Sequence, residues 1–296
     1  MSHGSETAPL RPLYPVLVLL GASVLWGLTW LPLKHFGRYG LEGAVVTLGA
    51  HGSVGVLALG WLFRSRRGWL PAWRGMLSLI LFGGLANLAF ASAIVAGDVV
   101  RVMVLFYLLP VWGVLGGALL LGEKVDGGRK LSVASALGGA FLILGGFGVA
   151  TSRPSMVDLM AVIAGMALAL NNVLFRRLSS VGVADKVAAM FVGCLVWAGS
   201  LTALDAGAVP NAVPGVVWLE LVAFGLVWVF IATVGTLWGV AHMEAGRSSV
   251  LIIMELLTAV TSAAILNGTR LRPVEWLGGA LIVAAAVLEA RRPSEE

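Results

Sequence analysis

Glu255 stands in a run, residues 250–271 (VLIIMELLTAVTSAAILNGTRL), whose only other charge is Arg270 near its end. A carboxyl group amid so much apolar sequence is costly at bilayer depth and is a functional candidate by default. Glu255, Thr258 and Ser262 follow spacings of three and four, so they share one face of a helix, and that face should look into the protein. Asn87, Asn171 (beside Asn172) and Tyr107 also fall inside apolar runs. Amides and a phenol both donate and accept hydrogen bonds without carrying charge. For Glu255, Asn87 and Asn171, contact with a ligand and hydrogen bonding between helices are equally open readings. His51 reads as a packed, hydrogen-bonded histidine.

Six tryptophans, Trp26, Trp30, Trp112, Trp197, Trp228 and Trp238, sit away from the ends of their runs. Trp228, Gly235 and Trp238 form one helical stripe. Aromatic stripes commonly serve packing, yet binding clefts are mostly apolar and aromatic. Trp30, Trp228 and Trp238 are therefore taken as cavity residues together with Asn87, Tyr107, Asn171 and Glu255. Pro110 removes a backbone hydrogen bond within its run and predicts a bend or gate there.

None of these groups makes a catalytic constellation. The sequence has no phosphate-cradling GxxxxGK[ST], no HExxH, no metal-spaced His or Cys cluster and no GxSxG. Its single cysteine, Cys194, has no intrachain partner. No enzyme activity, cofactor or metal is expected.

Positioning these side chains falls to membrane helices. The chain is 59% hydrophobic and only 12% charged, with a mean hydropathy of +0.95, whereas about a quarter of residues are charged in soluble domains. A bilayer core about 30 Å thick takes about 20 apolar residues per helix. Cutting the chain at charge and proline clusters predicts ten spans, near 14–34, 41–63, 75–95, 99–121, 130–150, 157–176, 186–205, 216–240, 247–267 and 274–290. The weakest cuts lie around Gly97 and Asp98 and around 244–246. The first run is longer than the 7 to 15 residues of a signal core, so it reads as the first span.

Of the 20 Lys and Arg, only Lys34, Arg38, Arg101, Arg153, Arg270 and Arg272 fall in the connections opposite the N-terminus. Cationic connections stay cytoplasmic, so both termini are expected inside. The same clustering between spans explains the net charge of +5 without nucleic acid.

The run at 250–271 also echoes residues 104–125, VLFYLLPVWGVLGGALLLGEKV. Aligning them pairs Val114 with Val260, Gly122 with Gly268 and, upstream, Arg101 with Arg247; LGGA recurs at 137–140 and 277–280. A duplicated unit of five helices is odd in number, so the second copy enters the membrane from the opposite side, as in the inverted repeats of transporters. The fold class expected is an all-α polytopic membrane protein of ten transmembrane helices, with repeats at 14–150 and 157–290 around a central cavity. In the second copy Leu256 replaces Pro110 and Thr269 replaces Glu123.

The run WGLTWLPLK at 26–34 resembles the first helix of the drug/metabolite transporter superfamily, EamA type, and LLPVWGVLGGALLLGEKV at 108–125 resembles its fourth. The resemblance covers essentially the whole chain and is greatest to bacterial aromatic amino-acid exporters. It implies ten helices in two inverted halves and export of small metabolites, with Lys34, Pro110 and Glu123 at family positions; Glu123 reads as a topology or capping residue. Every Lys and Arg maps near a span end, so phosphorylated substrates, which need a cavity cation, are disfavoured. The function expected is export of aromatic and other neutral amino acids, or similar small metabolites, across a bacterial inner membrane by alternating access. The lipid bilayer is the only other partner expected, and a monomer the expected state. A multidrug exporter of lipophilic cations, with Glu255 as counter-charge, is the alternative.

Overall fold

The computed structural model describes residues 13–122, 127–143, 154–205, 207, 209–210, 212–241, 252, 254–268 and 271–290. Among the described residues all regular structure is helical. In hydrocarbon every backbone polar group must be satisfied within its own segment, and helices meet that demand. The helices are α1 (Leu13–Leu28), α2 (Trp30–Arg38), α3 (Gly43–Trp69), α4 (Trp73–Ala96), α5 (Val99–Phe106), α6 (Leu109–Leu121), α7 (Gly127–Ile143), α8 (Met156–Arg177), α9 (Val183–Leu204), α10 (Gly215–Ala223), α11 (Phe230–Ala241), α12 (Met254–Leu266) and α13 (Pro273–Ala290).

Among the described residues six helical stretches are long and apolar enough to cross a membrane: Leu13–Arg38, Gly43–Ala96, Val99–Leu120, Met156–Arg177, Val183–Leu204 and Gly215–Gly239. The second, at 54 residues, is about 80 Å long at 1.5 Å per residue, enough for two crossings. The 3-10 turn Leu70–Ala72 divides it. The apolar helices Met254–Leu266 and Pro273–Ala285 are shorter. The chain is thus a multi-pass helical membrane protein. Large apolar side chains such as Phe63, Leu119 and Ile265 are exposed on outward faces, where lipid covers them.

Three expected spans are interrupted. The first breaks at Thr29 between α1 and α2, and the fourth at Tyr107 and Leu108 between α5 and α6. The eighth carries a π-helical segment, Phe224–Val229, between α10 and α11. Such bulges inside helices are rare and occur frequently at functional sites. The uncertain cut at Gly97 and Asp98 is a true boundary: α4 ends at Ala96, and the Asp98 carboxylate caps α5 by accepting from the Arg101 amide at 2.9 Å. Ser155 and Asp158 form a capping box that starts α8. The cut around 244–246, Glu123, Asn211, Arg247 and Thr269 lie outside the described residues.

Polar contacts gather into two rims. One holds Lys34, the 3.0 Å pair of His35 with Glu220, and the bidentate pair of Arg101 with Asp158, whose longer arm is 2.8 Å. The other holds the bond from Trp61 Nε1 to Asp185 at 2.9 Å and those from Lys186 Nζ to the Phe175 and Leu178 carbonyls at 2.9 and 3.2 Å. Between the rims, close helix crossings rest on glycine. A methyl group on Gly27 of α1 would meet the Glu255 carbonyl of α12 at 2.5 Å, and Gly165 of α8 lies as tightly against the Phe106 carbonyl of α5. Small residues at such crossings let helix backbones touch where lipid supplies no hydrophobic drive.

Candidate functional site

The break in the first span begins with the backbone. The Thr29 amide bonds to the Trp26 carbonyl at 3.1 Å, a tighter turn that releases the Leu25 carbonyl from its usual partner. Two donors replace it: Thr29 Oγ1 at 2.9 Å, and Trp228 Nε1 from the π segment at 3.1 Å. The next residue, Trp30, is buried and its Nε1 donates to Ser262 Oγ of α12 at 3.0 Å. Ser262 Oγ in turn donates to the Ala259 carbonyl at 3.1 Å.

The break in the fourth span has a different cause. Pro110, in the first turn of α6, has no N–H to give the Phe106 carbonyl one turn earlier. Tyr107 and Leu108 leave helical geometry there, with ψ of 11° and 0°. The bend expected at Pro110 is therefore an interruption placed just before it. Tyr107, at the break, packs with Phe106 edge to face at 5.3 Å. Its hydroxyl lies beside the Glu255 carboxylate, yet no hydrogen bond closes at bonding geometry.

Trp30, Tyr107, Trp228 and Glu255 thus fall at or beside the interruptions, on helices that pack together: α1 on α11 and α12, and α5 on α12. The two amides form a second group. Asn87 Nδ2 donates to the Gly83 carbonyl of its own helix at 2.9 Å. Asn171 is buried, its Oδ1 lies against Gly83, and that oxygen has no partner among the described residues. Trp238 stands apart: with Tyr14, edge to face at 5.9 Å, it lines a cavity of about 280 Å³ walled by apolar, largely outward-facing residues such as Phe230 and Ile231. His51 is packed as expected, beside Phe191, but its Nδ1 has no partner among the described residues.

A larger cavity, of about 420 Å³, opens on the first rim. Trp30, Lys34, Arg38, Gly97, Asp98 and Asn267 line it. Lys34 Nζ donates to the Val95 carbonyl at 3.2 Å and to the Gly97 carbonyl, joining α2 to the end of α4. Sequence reasoning placed Lys34 at a span end and a family position and Arg38 only as a charge at a span end, and gave Asp98, Asn267 and Thr29 no part in a site. The one legible signal was Asp98, a capping residue directly before an apolar run.

Residues 13–145 match the EamA-like transporter family, a match confined to the first half of the chain. No curated protein matches. A crystal structure of a protein superposes on 95% of this chain and 99% of its own at a TM-score of 0.60, with 20% identity. At that identity the likeness speaks for the fold alone, and it extends the shared fold well beyond residue 145.

Proposed function

We propose that this protein exports amino acids, aromatic and other neutral ones, or similar small metabolites across a bacterial inner membrane by alternating access. Its ten helices would form two inverted repeats, 14–150 and 157–290. The observation that carries this reading is that helix contacts recur when the halves are exchanged. Contact of α4 with α8 is mated by contact of α11 with α1, and contact of α5 and α6 with α8 by contact of α12 with α1. The pairs α3 with α9, α7 with α13 and α5 with α12 each exchange into themselves. Detail follows the same rule: Gly122 and Gly268, paired in the sequence, both adopt the left-handed backbone, at φ of 71° and 65°, which glycine reaches without penalty. The repeated LGGA segments meet as well, since a methyl group on Gly139 would lie 2.5 Å from the Gly278 carbonyl.

Two like halves packed face to face can exchange conformations, which opens one central site to either side in turn. The similarity of residues 13–145 to a transporter family supports the same reading. Indoles, a phenol and one carboxylate around the interruptions suit a neutral or zwitterionic substrate with apolar parts. The test is flux: purified protein in liposomes should pass labelled phenylalanine or tryptophan chemically unchanged. Passage of lipophilic cations with no amino-acid flux would establish the multidrug alternative.

A further inference from the structure

The rim cavity carries a charge arrangement that its structural contacts leave half used. Lys34 commits two of its three N–H donors to the Val95 and Gly97 carbonyls, and its ammonium lies within electrostatic reach of Asp98. Asp98 accepts the Arg101 amide through Oδ1, while no bond to Oδ2 occurs among the described residues. Arg38 is exposed in the last turn of α2, and its guanidinium has no ion-pair partner among the described residues. One unoccupied cationic fork and one half-occupied carboxylate therefore face a cavity of about 420 Å³, within the 300 to 1,000 Å³ usual for small-molecule sites. A simple anion would meet Arg38 but be repelled by Asp98, and a simple cation would meet the reverse. A ligand that bears a carboxylate and an ammonium on one carbon satisfies both.

We propose that this cavity is an outer recognition site for the charged head of an α-amino acid, sharing Trp30 with the groups around the helix interruptions. Arg38 receives the carboxylate, with its planar fork matched to two oxygens, and the third N–H of Lys34 assists. Asp98 and the Asn267 side-chain oxygen receive the ammonium. The ligand's side chain lies toward Trp30, whose N–H is held by Ser262 and which lines the cavity. The site rests on the amino-acid reading above and narrows it to zwitterions.

Binding of labelled L-phenylalanine to the purified full chain, competed with phenethylamine (no carboxylate) and 3-phenylpropionate (no ammonium), tests the assignment. The wild type should prefer phenylalanine to both. Arg38→Gln should weaken phenylalanine about tenfold, the scale of a lost charged hydrogen bond, and leave phenethylamine unchanged. Asp98→Asn keeps a competent helix cap and should weaken phenylalanine while leaving 3-phenylpropionate unchanged or improved. Arg66→Gln, in the last turn of α3 beyond Trp61 of the opposite rim, should bind all three as the wild type does. The site is overturned if Arg38→Gln and Asp98→Asn keep wild-type affinities, or if each shifts all three ligands equally, while phenylalanine is still transported. If the wild type neither binds nor transports any amino acid, the export reading itself fails.

Discussion

Trp30 Nε1 donates to Ser262 Oγ at 3.0 Å, joining residues 232 positions apart in sequence. The bond ties α2 to α12, directly beside the break at Thr29. Trp30→Phe and Ser262→Ala should each destabilise this contact, and the double variant should cost less than the sum. A double-mutant cycle on thermal stability in detergent should return a coupling of about 1 kcal/mol, the net worth of one partly buried hydrogen bond. Strict additivity would mean that the two side chains are neighbours without a working bond.

The amide pair separates into unequal members. Asn87 is already satisfied by the Gly83 carbonyl of its own helix. Asn171 holds a buried oxygen without a partner among the described residues, and such a group is costly unless something pairs with it. Asn171→Ala should therefore reduce transport severalfold at normal membrane expression, with Asn87→Ala closer to the parent. Initial rates in proteoliposomes decide the order, and equal rates for both variants and the parent would assign both amides to packing.

The polar rims sharpen the topological expectation. Lys34, Arg38, Asp98, Arg101, Asp158 and Glu220 come together on one rim, and it is the rim on the cation-poor side of the sequence. A reporter fused at the C-terminus should read cytoplasmic, and one inserted near Asn211 external. A cytoplasmic signal at Asn211 would overturn the ten-helix reading.

The all-helical, membrane-spanning character was legible because apolar run length is a strong signal at membrane thickness. Gly122 and Gly268, aligned in the sequence, both take positive φ, which glycine does freely, but no turn was read from the pair. The interruption before Pro110 followed from a missing N–H, although its position at Tyr107 depends on where the helix yields. The break at Thr29 left no such mark. It is sustained by Trp228 from a distant helix, a tertiary contact that no local pattern encodes. The stripe of Trp228 and Trp238 was a correct periodicity with a misleading sequel: the intervening π segment and α11 leave Trp228 on the first helix break and Trp238 beside Tyr14. The rim cavity was hidden for a similar reason, because Arg38, Asp98 and Asn267 come from three separate connections.

Glu255 supplies the test of coupling. Its carboxylate lies beside the Tyr107 hydroxyl at one interruption, and its backbone carbonyl packs on Gly27, two residues before Thr29 at the other. A proton-driven exporter needs a buried group that changes protonation as the cavity switches sides. If Glu255 instead serves as a hydrogen-bonding wall in a protein that runs downhill, Glu255→Gln should retain substantial downhill flux, because glutamine keeps the shape and can accept from Tyr107. Glu255→Leu should lose most of that flux, since it removes the polar side chain that stands beside the Tyr107 hydroxyl. The same liposomes, given an imposed pH gradient, separate the two roles. Accumulation abolished in Glu255→Gln with downhill exchange spared would make Glu255 the proton carrier and overturn facilitated export; accumulation absent in the wild type and downhill flux preserved in Glu255→Gln would establish it.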